Sequence, residues 1–539
     1  MKVIIPSAKL VSEDLQNLGK LPAIVYPVNQ RPVFDYLYKE YKGADFKILT
    51  YENASVVHRR LNNYKHVDIL DLNKLRDLGS TIYQGITDIK GEGIINFADT
   101  IVEDDITQCN GDAFFYSEDI SSDTWTFFEE KNGKITNISD KQAESTDDLK
   151  KLFVGVFKFS HLEYFKYCLE HAFREPNSSV STFYCALMEY SKKYPFKSIQ
   201  TKNWFDIGHA DKYFNSQLEV KAREFNHIKI DKDRGILTKT SDNVDKFIGE
   251  VKWYLKLPAD IEYVRPRIFS YSTSYTHPSV SMEYYAYHTV HELFLYGDLT
   301  KSQWSDIFKR IKFVYRDFKR YTVKDHDKIK LALKSMYLTK TIDRLNKLKD
   351  DKRFSKFFTS PIYINNEKYK SLNEVENILK QVIPEKLYDV DQFNIIHGDL
   401  CFANIMIDNN YNFVKVIDPR GKFGNFDIYG DPRYELAKLF HSVDGKYDFI
   451  IKNLFDINYD LENTSINYHI NDRVRDFNLY KLFTDVFGDE IGDDLPKIEL
   501  IEALLFLSMI PLHGENIKHQ LTMLGTGLSI LNRTVDITA

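Results

Sequence analysis

Only four cysteines occur in 539 residues, Cys109, Cys168, Cys185 and Cys401, and none has Cys-x-x-Cys spacing. That scarcity excludes a disulfide framework and a cysteine-ligated zinc site, and it fits a reduced compartment. Positive charge is not in excess either: 72 basic against 78 acidic side chains give a formal charge of −6. A chain without a basic footprint is a poor partner for DNA or RNA, so no nucleic-acid role is expected. No stretch approaches the roughly 18 uncharged apolar residues that a membrane span needs, and no membrane partner is expected. The apolar run in the opening MKVIIPSAKL is too short for a secretory leader, so the expected location is cytoplasmic. Internal repeats and low-complexity linkers are also missing. Core material is plentiful: 43% of residues are hydrophobic, with 35 Tyr and 38 Phe. Length alone suggests about three or four domains.

The first 220 residues alternate short apolar runs with helical spacing. VIIP (3–6), FKILTY (46–51), VDILDL (67–72) and GIINFAD (93–99) read as buried strands, and RPVFDYLYKEY between them has Phe34, Leu37 and Tyr41 at helical intervals. This pattern predicts a largely parallel sheet with helices on both faces. KNGKIT (131–136) predicts a hairpin turn. The texture changes at 221–290, where FNHIKI, GILTKTS and VSMEYYAY read as strands and DNVDKFIGEVKWYLKL as one helix. From 291 to 539 the chain is mainly helical. Trp304, Ile307, Phe308, Ile311, Val314, Tyr315 and Phe318 form one amphipathic stripe; Leu331, Met336, Leu338, Ile342 and Leu345 suggest a second.

HGDLCFANIMIDNNYNFVKVID (397–418) places polar groups where a core would not want them. Asn404 follows Asp399 by five residues, the spacing of the catalytic loop in kinase-like phosphotransferases, and a strand ends on Asp418 nineteen residues past Asp399. Phosphoryl transfer needs one carboxylate to orient and deprotonate a hydroxyl, and further oxygen ligands to hold a metal on the phosphates. A turn cap, a loop residue and a strand end would account for the three singly; their coincidence with His-Gly-Asp favours the chemistry.

IIHGDLCFANIMID followed by VKVIDPRG resembles the aminoglycoside phosphotransferase and choline kinase family, whose loop carries HGD where protein kinases carry HRD. The resemblance implies ATP and Mg²⁺, with Asp399 as catalytic base, Asn404 and Asp418 as magnesium ligands and His397 bracing the loop. It also implies a small lobe in which a lysine touches ATP phosphates and a helix glutamate pairs with it; GILTKTSDNVDKFIGE offers Lys239 and Glu250, with an exposed Lys and a solvated Glu as the alternative. VSMEYY (280–285) then fits the hinge strand that holds adenine through backbone groups. Two departures stand out. No G-x-G-x-x-G loop precedes Lys239, so phosphate cover falls to NHIKIDKDRG; and IDPRG replaces DFG with no A-P-E segment after it. With no HRD arginine either, the expected acceptor is a small alcohol, sugar or choline-like molecule, not a protein.

Residues 1–217 resemble the sugar-phosphate nucleotidyltransferase family through VIIP, PVNQRPVFDYLYKEY, IINFADTIV, FVGVFKF and WFDIGHADKYFNS, in that order. The resemblance implies Asp99 and Asp206 as ligands of a magnesium that bridges nucleotide and sugar phosphate, with CTP or UTP as a second nucleoside triphosphate. Its first loop departs from the family: PSAKLVSEDL has no glycine and carries Glu13 and Asp14 where positive charge is wanted, and Lys20 is displaced upstream of PVN. The expected fold is therefore α/β: a Rossmann-like nucleotidyltransferase domain (1–220), then a bilobal protein-kinase-like α+β domain with an N-lobe (221–290) and a mainly helical C-lobe (291–539). The expected activity is phosphorylation of a small hydroxyl compound, with the front domain converting the product to a nucleotide-activated precursor for bacterial surface polysaccharide such as capsule. The alternative is a degenerate front domain used for ligand sensing or assembly. Capping is the safer reading of Asp431 and Pro432 in GDPRYELAKLF, although Asp431, Arg433, Glu435 and Tyr434 could also line the acceptor pocket. Homo-oligomerisation is left open.

Overall fold

The computed structural model describes residues 1–120, 124–141, 148–175, 177, 179–207, 226–231, 233–472 and 475–539. The chain divides into two compact units: Met1–Glu219 with Tyr296–Asp298, and Val220–Leu295 with Leu299–Ala539. The boundary expected at 220/221 lies outside the described residues, as does the part of segment 204–216 beyond residue 207. No helix among the described residues is long and apolar enough to cross a membrane.

In the first unit the four runs read as strands form Lys2–Ser7, Asp45–Thr50, Val67–Asp71 and Gly93–Asn96, all parallel, in the order 93–96, 2–7, 45–50, 67–71. Helices cover both faces, as alternation along a doubly buried strand requires. Phe46 meets Phe34 of helix Val33–Glu40 edge-on, with ring centroids 5.3 Å apart, while Leu49, three residues on, lies under Gly85 of helix Leu78–Ile86. The sheet is mixed, however, and not largely parallel. Leu149–Phe159 pairs antiparallel with Gly93–Asn96 and with Ala113–Ile120, and it leads to the hairpin Thr126–Lys131/Lys134–Asp140 that KNGKIT predicts. Periodicity alone marks a strand as buried but not its direction, which explains the difference.

The second unit begins with a four-stranded antiparallel sheet in the order Asn226–Asp231, Ile236–Ser241, Ser279–Glu283, Ile268–Ser272. Helix Val244–Lys256 follows the second strand and buries Phe247, Ile248, Val251, Trp253 and Tyr254. The remainder is mainly helical, around Leu495–Met509 and Ile517–Thr534, whose middle turns are buried on nearly every face. The stripe at 304–318 lies on helix Lys301–Lys319, all seven residues buried. The second stripe is corrected. His326–Leu333 and Lys340–Lys349 are separated by a π-helical turn, Lys334–Thr339, whose extra residue rotates the buried face. Leu331 is left 62% exposed, while Ile329, Leu333, Met336, Tyr337, Leu345 and Leu348 are buried.

Candidate functional site

All five kinase-type candidates lie in the second unit, on two structural devices. The first is a hairpin. Strands Ile405–Ile407 and Val414–Val416 pair antiparallel, Ile405 opposite Val416, and the next rung is the Ile417 amide donating to the Asn404 carbonyl at 3.0 Å. Residues 404 and 418 therefore sit at the open end of one ladder, which is the physical reason for their separation in sequence. Upstream, the Asn404 side-chain amide donates to the Asp399 carbonyl at 2.8 Å, so its Oδ1 is the atom left for a cation, and Asp399 is held beside the ladder. Asp418 has φ +57°, a backbone conformation that Asp tolerates better than most side chains, and its amide donates to the Tyr254 hydroxyl at 3.1 Å.

The second device is the pair of strand Ile236–Ser241 and helix Val244–Lys256. Lys239 Nζ donates to Glu250 Oε1 at 2.8 Å, to Glu250 Oε2 at 3.0 Å and to Asp418 Oδ1 at 2.7 Å. Lys239 and Glu250 are buried, whereas the Asp418 side chain is 48% exposed. The structure thus brings Lys239, Glu250 and Asp418 into one cluster, and the solvated alternative for the first two does not hold. Burial opposes charge on Lys239, but Asp418 and Glu250 hold its ammonium above the ordinary lysine value. Burial, reinforced by Asp418, pushes Glu250 up to about 7. One ammonium shared by two carboxylates leaves acceptor oxygens for a cation. Hard oxygen donors of this kind, an amide carbonyl and a half-exposed carboxylate, fit Mg²⁺.

The two devices are locked together at Gly421, in the PRG that follows Asp418. Its φ is +72°, and a Cβ there would stand 2.2 Å from the carbonyl carbon and oxygen of Gly249, beside Glu250. The Trp253 indole adds a bond to the Ile396 carbonyl at 2.7 Å and meets His397 edge-on. His397 is fully buried, donates through Nε2 to the Ile417 carbonyl at 2.9 Å, and is driven down to about 4 by burial. It is a neutral brace between loop and hairpin.

Helix Pro432–Val443 supplies what spacing arguments missed. Glu435 accepts from the His397 and Gly398 amides, each at 2.8 Å, and burial raises its carboxyl to about 7. One turn on, Lys438 Nζ pairs with Asp399 Oδ1 at 2.8 Å. Burial opposes its charge, but Asp399 holds the ammonium above the ordinary lysine range. Positions 435 and 438 share one helix face, a signal readable only once Asp399 is known to lie against that face. Asp431 caps the helix by accepting the Arg433 amide at 2.9 Å, and it also accepts the Tyr337 hydroxyl. Asp431, Arg433 and Glu435 are buried and structural, in agreement with capping. Tyr434 is buried among cations instead of carboxylates: its hydroxyl lies 3.3 Å from Arg420 and 3.5 Å from Lys340, whose ammonium also stands over the ring. A quaternary ammonium therefore has no open ring there.

The segment expected to cover phosphates, NHIKIDKDRG, forms strand Asn226–Asp231 and a turn through Gly235, paired directly with the Lys239 strand so that Ile228 faces Lys239; residue 232 lies outside the described residues. In the expected hinge, the amides of Glu283 and Tyr284 are already bonded to the Arg267 and Gly235 carbonyls, so neither is left to hold a ligand.

In the first unit, strand Trp204–Asp206 pairs antiparallel with Thr100–Val102, and the Ile207 amide donates to the Asp99 carbonyl at 2.9 Å. Asp99 and Asp206 therefore flank one short ladder. The segment after the first strand, glycine-free up to Gly19, is packed around two short 3₁₀ helices, Glu13–Leu18 and Ala23–Val25: Val11, Leu15, Leu18, Leu21, Ile24 and Val25 are buried, and the amides of residues 11, 15, 19, 21, 25 and 26 all bond to carbonyls within the segment. Glu13 and Asp14 are exposed at its surface.

No protein-family profile and no curated protein sequence matches this chain. Among solved structures it is partly similar to a CTP:phosphocholine cytidylyltransferase from Streptococcus pneumoniae, at 14% identity and TM-score 0.33 over 41% of this chain and 99% of that one. It is also partly similar to an inositol-1-phosphate CTP transferase from T. maritima, at 13% identity and TM-score 0.32 over 41% of this chain and 97% of that one. A nucleoside-diphosphate-sugar pyrophosphorylase from Vibrio cholerae gives 16% identity and TM-score 0.33 over 40% of this chain and 100% of that one.

Proposed function

We propose that the second unit is an ATP-dependent phosphotransferase acting on a hydroxyl of a small molecule, with 221–290 and 291–539 as its two lobes. The observation that carries this reading is Lys239 bonded at once to Glu250 and to Asp418, with Asp418 and Asn404 at the open end of one hairpin. In this arrangement Lys239 binds phosphate oxygens, and Glu250 fixes its position. Asp399, next to Asn404 and charge-balanced by Lys438, orients the acceptor hydroxyl and takes its proton as the phosphoryl group leaves ATP. Asn404 and Asp418 would hold Mg²⁺, which when bound supplies positive charge to the phosphate oxygens.

Incubation with ATP, Mg²⁺ and a mixed pool of small alcohols and sugars, followed by mass spectrometry, tests the reading. A phosphorylated member of the pool that fails to form without Mg²⁺ is expected; ADP formation with no acceptor product in any pool would contradict it. Asn404→Ala and Asp418→Ala are expected to raise the Mg²⁺ concentration for half-maximal rate by about tenfold or more, since each removes an oxygen ligand. Unchanged metal titrations in both would undo the assignment.

For residues 1–220 we propose a nucleotidyltransferase-like unit that binds nucleotide weakly, in a sensing or assembly role. Asp99 and Asp206 on one ladder support a cation-linked phosphate site; the amides of residues 11, 15, 19, 21, 25 and 26, already bonded within their own segment, oppose close triphosphate binding. Calorimetry with CTP, UTP, GTP and dTTP on the full chain, Mg²⁺ present, is expected to show only weak binding that Asp99→Ala removes. Fast pyrophosphate release from any of them, equal in Asp99→Ala, would overturn the assignment.

A further inference from the structure

The loop that carries Asp399 is bordered by cations that no carboxylate balances. Arg420 donates its backbone amide to the His397 carbonyl at 2.9 Å, and its guanidinium lies 3.3 Å from the Tyr434 hydroxyl. Lys340 lies 3.5 Å from the same hydroxyl. Tyr434 is one helical turn from Lys438, which is itself bonded to Asp399. Arg344, one turn beyond Lys340, donates to the Ser508 carbonyl at 2.8 Å. Among the described residues Lys438 has a carboxylate partner, whereas Lys340, Arg344 and Arg420 form no ion pair.

The field of these groups is visible in their neighbours. Burial would raise the Tyr434 phenol, yet Lys340, Arg420 and Lys438 draw it down to about 8. Lys340 is likewise brought down to about 8, by burial and by the repulsion of Arg420, Arg344 and Lys438. Partly buried cations gathered without counter-charge destabilise a protein unless an anion joins them. The π-helical turn just before Lys340 fits a site, since such turns break a helix's regular packing and recur at functional positions.

We infer that the acceptor carries an oxyanion, a carboxylate or a phosphate ester, beside the hydroxyl that is phosphorylated, and that Lys340 and Arg420 bind this group, with Arg344 behind them. This inference rests on the phosphotransferase reading and narrows it: neutral polyols and quaternary ammonium alcohols are poor acceptors. Transfer leaves the anchoring oxyanion unchanged. The acceptor O–H bond breaks, its proton goes to Asp399, and the oxygen forms the new bond to phosphorus as ADP departs.

The test compares three acceptor sets with the full chain, ATP and Mg²⁺: D-glycerate, D-gluconate, D-glucuronate and glycerol 3-phosphate; glycerol and glucose; choline and ethanolamine. Coupled ADP release and product mass are the readouts. Turnover confined to the first set is expected, and the carboxylates against glycerol 3-phosphate distinguish the two sources of the anion. Lys340→Gln and Arg420→Gln should each raise the acceptor KM about tenfold while the KM for ATP moves far less, as loss of one charge-assisted contact predicts. Turnover of neutral or cationic acceptors with the anionic set inert, or an unchanged acceptor KM in both variants, overturns the inference alone. Absence of both Mg²⁺–ATP binding and transfer to any acceptor removes the phosphotransferase reading and the inference with it. Should Mg²⁺–ATP bind without turnover of any acceptor, titration of inorganic sulfate into protein loaded with a non-hydrolysable ATP analogue decides. Binding that both variants lose supports the anion site, and no binding by the wild type overturns it.

Discussion

Asp399→Asn is expected to leave the protein folded and able to bind Mg²⁺–ATP while phosphoryl transfer falls by about 10²–10⁴, the range that a positioned general base contributes. The substitution keeps the shape of the side chain and removes both its basicity and its charge. The side chain is 28% exposed, so its loss opens no core cavity. Lys438 loses its ionised partner, and a Lys438→Met variant separates the two effects. Lys438→Met keeps the carboxylate and should lose less rate than Asp399→Asn, because Lys438 positions the base and does not touch the reacting hydroxyl. Single-turnover rates with saturating ATP are the measurement. A near wild-type rate in Asp399→Asn would remove the base from this position.

The second large effect is steric. Gly421→Ala is expected to destabilise the second unit by about 3 kcal/mol or more, combining left-handed strain of about 1–2 kcal/mol with overpacking of about 1–3 kcal/mol. Its added Cβ would stand 2.2 Å from the Gly249 carbonyl group, backbone that cannot yield like a flexible side chain. Gly235→Ala is the control: φ is +63° there, but nothing lies within 4 Å, so only the strain remains. Urea denaturation of both variants gives the difference. Because Gly249 adjoins Glu250, Gly421→Ala should also loosen the Lys239–Glu250–Asp418 cluster and raise the KM for ATP, whereas Gly235→Ala should not. Equal stability of the two variants would show that the close approach of the segments is not a tight constraint.

The sequence made the ladder end readable because hairpin register is rigid: once Ile405–Ile407 and Val414–Val416 pair, residues 404 and 418 have no freedom to separate. The pairing of Lys239 with Glu250 was expected only through the family resemblance, and the residues alone left a solvated pair open; both are buried because the strand and the helix that follows it cover one core. Lys438 was not legible. Its link to Asp399 spans 39 positions and depends on how helix Pro432–Val443 docks, which no local periodicity encodes. Lys340 was hidden by the π-helical turn, which shifts the phase of the stripe so that a regular 3.6-residue reading buried Leu331. In the first unit the strands were legible, but the antiparallel course of Leu149–Phe159 was not, because alternation is the same in either direction. The closed amides of residues 11, 15, 19, 21, 25 and 26 answer to the buried leucines and valines of that segment, which fold it onto itself.

The most direct measurement is calorimetric titration of a non-hydrolysable ATP analogue into the full chain, with and without Mg²⁺, for wild type, Asp418→Ala and Asp99→Ala. The predicted result is one Mg²⁺-dependent site per chain that Asp418→Ala weakens by an order of magnitude or more and Asp99→Ala leaves intact. Binding indifferent to Asp418→Ala, or lost in Asp99→Ala instead, would contradict the placement of the ATP site at Lys239, Asn404 and Asp418.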